Sequence, residues 1–162
     1  MKTAIIIGAS TGIGRATALA LSGKYNSISI TSFKHKEELL SLRDELMAKG
    51  CICYCETGDA GDMEFMEKFI QNTIDHLGSD IDLLINNAGI SYVGLINDMT
   101  AQDFDRTMKS NVYSVFNSCR LVVPHMIQHH KGHIINISSV WGNVGASCEV
   151  AYSASKGAVN SF

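Results

Sequence analysis

The sequence predicts an α/β fold: a parallel sheet wound with helices on both faces. Three observations carry this. Short apolar runs alternate with helical patterns along the whole chain, which is the signature of βαβ units. Three glycines sit in the turn between the first strand and the first helix. Polar clusters follow the carboxyl ends of the third, fourth and fifth strands, where open α/β sheets bind ligands.

Taken in order, Thr3 to Ile7 is a β-branched apolar run closed by Gly8 and reads as a buried strand. Gly8-Ala9-Ser10-Thr11-Gly12-Ile13-Gly14 follows, then a strong helix former from Arg15 to Leu21. Glycines here allow a tight turn and let a pyrophosphate approach the helix N-terminus, where free N–H groups and the dipole favour an anion. Ser27 to Thr31 is the second strand, and Glu37 to Lys49 a helix with Leu39, Leu42 and Leu46 on one face, stopped by Gly50. Cys51 to Cys55 is the third strand. Asp62 to Leu77 is a helix with Met66, Phe69, Ile70, Thr73 and Leu77 inward. Asp82 to Asn86 is the fourth strand. Thr100 and Asp103 make a capping box for a long helix whose inner face is Phe104, Met108, Val112, Val115, Cys119, Val122 and Met126, with a kink expected at Pro124. His133 to Ser138 is the fifth strand, and Tyr152 opens the last helix.

Composition narrows the class. The 162 residues suit a single domain spanning 1–162, 46% hydrophobic and 18% charged. A net charge of −3 gives no reason to expect nucleic acid or an anionic membrane as partner. No apolar run is long enough to cross a bilayer, and the N-terminal run is too short for a signal peptide. With five irregularly spaced cysteines, the expected location is the cytoplasm, with reduced thiols. Cys51, Cys53 and Cys55 share one strand face and read as small core residues, not metal ligands. His125, His129, His130 and His133 read as a solvated helix end. No metal is expected. Trp141 is open between touching substrate and packing.

The chemistry concentrates in Tyr152-Ser153-Ala154-Ser155-Lys156. Four-residue spacing puts Tyr152 and Lys156 on one helix face. An ammonium beside a phenol stabilises the phenolate and makes the hydroxyl a usable proton donor and acceptor. Upstream stand Asn86-Asn87-Ala88-Gly89, Ser138-Ser139, Asp59 after the third strand, and Asn111, which interrupts an apolar helix face.

The glycine turn, the N-N-A-G stretch, Asn111, the serine pair and Y-x-x-x-K, in this order and spacing over essentially the whole chain, resemble the short-chain dehydrogenase/reductase family. That resemblance implies a Rossmann-like sheet in strand order 3-2-1-4-5. It implies a nicotinamide dinucleotide cofactor lying over Gly8, Ser10, Thr11, Gly12, Ile13 and Gly14. Asp59 and Ala60 would face the adenine, and Asn87, Ala88 and Gly89 would line the cofactor. Asn111, Ser139, Tyr152 and Lys156 match the catalytic tetrad, with Tyr152 and Lys156 also meeting the nicotinamide ribose. The implied reaction is carbonyl reduction or alcohol oxidation by hydride transfer, with Tyr152 as general acid. The implied substrate is a small-molecule or carrier-bound carbonyl, a 3-oxoacyl group on acyl carrier protein being the first expectation. The stretch Ser139 to Val150 is also similar to a branch that includes reductases of a ketone-bearing modification on elongation factor P.

The sequence departs from the family pattern in four places. Ile7 stands where threonine is usual before the first glycine. Strands six and seven are absent from the 162 residues, so the domain is expected to be incomplete at its C-terminal side, and a non-catalytic remnant that folds and self-associates is the alternative reading. The second strand ends in Thr31-Ser32-Phe33-Lys34-His35-Lys36, with no carboxylate to grip a ribose diol, so NADP(H) is favoured over NAD(H), with Ser32 and Lys34 at the 2′-phosphate. Thr11 replaces the usual basic residue in the turn, and Arg15 is the nearest substitute. Tyr113, Phe116 and Leu121 lie off the long helix's main stripe, so a homo-oligomer is expected.

Overall fold

The computed structural model describes residues 2–162. Five parallel strands, β1 (Thr3–Ile7), β2 (Ser27–Ser32), β3 (Ile52–Thr57), β4 (Ile81–Asn86) and β5 (His133–Asn136), form one sheet in the order β3-β2-β1-β4-β5. The order reverses at β1, whose carboxyl end runs into the glycine turn. Ligand crevices open at such a switch point.

Alternate residues of β1 feed two separate cores. Ala4 and Ile6 meet Ala18 of α1 (Gly12–Leu21) and Leu39, Leu42 and Leu46 of α2 (Lys36–Ala48). Ile5 and Ile7 meet Met66, Phe69 and Ile70 of α3 (Met63–Leu77) and Val122 and Met126 of α5 (Ser114–Gln128). All five β1 residues are buried, hence the continuous apolar run in place of alternation. β3 is an edge strand, not a fully buried one, yet Cys53 and Cys55 do pack against the first core. Burial pushes the Cys53 thiol up to about 12, as for a small hydrophobe.

The long helix differs from its sequence reading. The Thr100–Asp103 capping box is present, and α4 (Ala101–Met108) follows it. Residues Lys109–Tyr113 then form a π turn before α5 begins, while α5 runs through Pro124. A π turn inserts one residue and rotates the upstream face by roughly 100°. Phe104, expected inward, is therefore 39% exposed, and the buried stripe runs through Thr107, Asn111, Ser114, Asn117 and Ser118. Leu121, expected outward, packs against the second core, while Tyr113 and Phe116 are exposed as expected.

Two shorter elements complete the chain: α6 (Trp141–Val144), which the sequence reading missed, and α7 (Val150–Asn160), which begins two residues before Tyr152. Among the described residues β5 pairs only with β4, and its Ile134 and Ile135 are 36% and 46% exposed. No helix among the described residues is long and apolar enough to cross a membrane.

Candidate active site

The strand ends build the site in layers. At the glycine turn, Gly8 and Ala9 donate backbone N–H bonds to the Thr31 carbonyl at 2.9 and 3.0 Å, which ties the turn to β2. Asn87 donates its side-chain amide to the Gly8 carbonyl at 2.7 Å and its backbone N–H to Ile7 at 3.0 Å. These bonds hold the turn even though Ile7 brings no hydroxyl. Gly8 has φ +84°, and a Cβ there would lie 2.6 Å from Ala88 Cα. Gly12 has φ +55° and faces open space. Thr11 caps α1 with no side-chain bond, leaving its hydroxyl free at the helix mouth.

From this turn two cavities open. One, of about 610 Å³, runs past Ile7, Gly8 and Ser32 to Asp59, Ala60 and Lys109. The other, of about 290 Å³, is lined by Ser10, Thr11, Ser32, Lys34, Arg106 and Gly89, among others. Among the expected cofactor residues, Gly8, Ser10, Thr11, Ser32, Lys34, Asp59, Ala60, Asn87, Ala88 and Gly89 all line one or both. Ile13 is exposed beside the turn, and Gly14 is buried beneath it. Arg15 does not join them: it pairs with Glu45 at 2.6 Å and reaches Ser41, both on α2, because it sits on the flank of α1 that packs there. Arg106, one helical turn above the π segment, lines both cavities instead. Sequence reading missed it; its five-residue offset from Asn111 was the available signal.

At the far side stand the four expected catalytic residues. Lys156 is 4% exposed, and its ammonium donates to the Ile137 carbonyl at 2.7 Å. Burial lowers its pKa from the ordinary lysine value. The same nitrogen lies 5.7 Å from the centre of the Tyr152 ring, as the four-residue helical spacing requires. Asn111, fully buried in the π turn, exchanges two bonds with the Ile90 backbone and donates to Ser155 Oγ at 2.9 Å. Ser155 in turn donates to the Tyr152 carbonyl at 2.7 Å. Ser139 Oγ accepts the Trp141 N–H at 3.2 Å, which starts α6 and leaves the serine proton free to donate elsewhere. A Cβ on Gly89 would lie 3.3 Å from Asn111 Oδ1 and 3.5 Å from Lys156 Nζ, so the bare backbone at Gly89 keeps that approach open. Trp141 opens α6 half exposed.

The described residues 2–162 match the short chain dehydrogenase family throughout. The chain belongs to that family. It is 34% identical over 158 residues to the 3-oxoacyl-[acyl-carrier-protein] reductase FabG of Staphylococcus aureus, a match covering 98% of this chain and 64% of that protein. It is 32% identical over 162 residues to the uncharacterized oxidoreductase YhdF of Bacillus subtilis, covering 99% of this chain and 55% of that one. A solved NAD+-bound xylitol dehydrogenase superposes with a TM-score of 0.92 at 29% identity, over 99% of this chain and 61% of that one. The chain thus spans between half and two thirds of the length of these relatives.

Proposed function

We propose that this dehydrogenase reduces a carbonyl group with NADPH, Tyr152 serving as general acid. The observation that carries the reading is Lys156. A buried ammonium whose partner is a neutral carbonyl is costly to keep, and such groups mark functional sites. Its remaining donors suit ribose hydroxyls at the end of a cavity floored by bare glycine backbone.

When bound, a reduced nicotinamide supplies the hydride. The chain's residues do the rest. Ser139, with its oxygen already accepting from Trp141, donates its proton to the substrate carbonyl and polarises it. Tyr152 gives a proton to the developing alkoxide. Asn111 holds the Ile90 carbonyl and Ser155, and so fixes the turn of α7 that carries Tyr152. Water led in beside Asn111 returns the proton through Lys156.

Cofactor choice rests on the rim of the smaller cavity. Lys34 and Arg106 both line it beside Ser32, and its lining includes no carboxylate. A 2′-phosphate is therefore favoured there. FabG-like reduction of 3-oxoacyl thioesters is the first substrate reading. One observation favours a second, a free neutral ketone or polyol. Residues 86–105 and 132–155, which carry the substrate side of the site, contain no lysine or arginine but do contain Asp98 and Glu149. A partner with strong negative charge finds no counter-charge there. The exposed Tyr113 and Phe116 of the long helix support assembly into a homo-oligomer, which sedimentation at tens of micromolar checks.

The test is to titrate NADPH and NADH at low and moderate salt, then assay turnover on activated ketones and 3-oxoacyl thioesters. Tighter binding of NADPH is expected, and tighter binding of NADH overturns the cofactor assignment.

A further inference from the structure

The far end of the larger cavity contains a charged pair that the catalytic reading does not use. Asp59 sits in the turn after β3. Its Oδ1 accepts the Gly61 N–H at 2.9 Å, which fixes the carboxylate's orientation. Its Oδ2 lies 2.9 Å from Lys109 Nζ. The lysine comes from the first residue of the π turn, and its bond to Asp59 holds its pKa above the ordinary value. A Cβ on Gly61 would lie 2.7 Å from Lys109 Cγ, so the lysine stem lies flat on bare backbone. The buried Asn117 of α5 donates to the Ala60 carbonyl at 3.0 Å and pins the same turn to the same long helix. Asp59, Ala60, Gly61 and Lys109 therefore form one braced wall of the cavity.

That wall presents an acceptor and a donor side by side. A carboxylate has about four acceptor positions, so Asp59 retains capacity after meeting Gly61 and Lys109. An ammonium has three donors, and one of them faces Asp59. A purine whose 6-position carries an amino group donates to Asp59. A purine with a 6-oxo group places an acceptor at that position and a donor at N1. Facing a lone carboxylate, that oxygen would be rejected strongly, since a site built for a donor leaves an acceptor unpaired and opposed. Lys109 changes this, because its ammonium holds further N–H donors directly beside the Asp59 carboxylate on the same cavity wall.

We propose that Lys109 is a base-specificity residue, and that through it the nucleotide end of this site accepts 6-oxopurine dinucleotides nearly as well as 6-aminopurine ones. The inference rests on the reading that the adenine lies against Asp59 and Ala60.

The experiment compares NADPH with nicotinamide hypoxanthine dinucleotide phosphate, its 6-oxo counterpart, by fluorescence titration of the same protein sample. In the wild type the two dissociation constants are expected to agree within about threefold. Lys109→Met should weaken the 6-oxo cofactor by about tenfold or more relative to NADPH, the size of one charge-assisted hydrogen bond. Lys109→Arg keeps a charged donor and should restore the wild-type ratio. Because the readout is a ratio on one sample, a partly unfolded variant scales both arms alike. Rejection of the 6-oxo cofactor by tenfold in the wild type overturns the proposal. So does an unchanged ratio in Lys109→Met, or an equal loss for both cofactors, which would make Lys109 a general attraction for phosphate. If the wild type binds neither, the dinucleotide reading itself fails, and that outcome is separate from the others.

Discussion

Asn111 grips Ile90 at both backbone polar groups: its Oδ1 accepts the Ile90 N–H at 2.8 Å, and its Nδ2 donates to the Ile90 carbonyl at 2.9 Å. The π turn and the loop after β4 are joined at this point. Asn111→Leu should leave the two part-buried Ile90 backbone groups without this partner, at up to about 1–3 kcal/mol each. Asn111→Asp keeps the acceptor but sets a carboxylate against the Ile90 carbonyl and against Ser155, whose own proton is committed to Tyr152. Burial and two acceptor neighbours raise that carboxyl's folded-state pKa above the unfolded value of about 3.9. The folded state then binds the proton more tightly, and stability falls as pH rises from that value. Urea melts at several pH values should show the Asp variant closest to wild type near pH 4 and furthest at pH 7.

Much of this arrangement was legible in the sequence, for reasons tied to particular residues. Met66, Phe69, Ile70, Thr73 and Leu77 are buried as α3's periodicity requires, because one amphipathic helix on one sheet face obeys a single phase. The strand order and the family also follow. What failed was the phase of the long helix. The π turn sits at Lys109–Tyr113, and a pattern read downstream of it misplaces Phe104 upstream. Nothing local in Lys-Ser-Asn-Val-Tyr announces an inserted residue. Its cause is tertiary: Asn111 must reach Ile90 and Ser155 together. Arg106 was missed and Arg15 overrated for a related reason. Which cation reaches the cavity depends on the azimuth of each helix, and α1 turns Arg15 toward Glu45.

The rim cations give a second prediction. Lys34 and Arg106 stand on separate elements around the smaller cavity. Lys34→Glu should weaken NADPH binding about tenfold or more, and NADH binding by less than about threefold, because only the former places a phosphate there. Arg106→Glu should behave likewise. Both effects should shrink as salt rises, since the groups are exposed. Equal losses for both cofactors would put the phosphate elsewhere.

Lys156 gives a pH prediction. Burial lowers its pKa from the ordinary value of about 10.4, so the unfolded chain holds this proton more tightly than the folded one. Stability therefore rises with pH across the window from the lowered folded value up to about 10.4, and the burial penalty is fully present below that window. Lys156→Met removes the charge and fills similar volume. The wild type should gain stability relative to this variant as pH is raised from 7 toward 10.5 in urea melts. A constant difference would mean that the ammonium is not strained by burial.

Tyr152→Phe isolates the chemistry. The half-buried ring stays 5.7 Å from Lys156 Nζ, the bond from the Ser155 hydroxyl uses only the backbone carbonyl of residue 152, and α7 keeps its packing. Only the hydroxyl is lost. Stability should change by less than about 0.5 kcal/mol, as for a surface-like substitution, and NADPH affinity should hold within about threefold, since the cavities are lined by other residues. Turnover on the best ketone should fall by about 10²-fold or more, the usual loss for a positioned general acid. The fall should appear in kcat and in kcat/KM alike, because the proton is given in the transition state and not in the bound ground state. Should Tyr152→Phe turn over at the wild-type rate, the proton donor is another group and the role assigned to Tyr152 is wrong. A loss confined to KM would make the hydroxyl a substrate anchor and would leave the general acid to be sought beside Ser139.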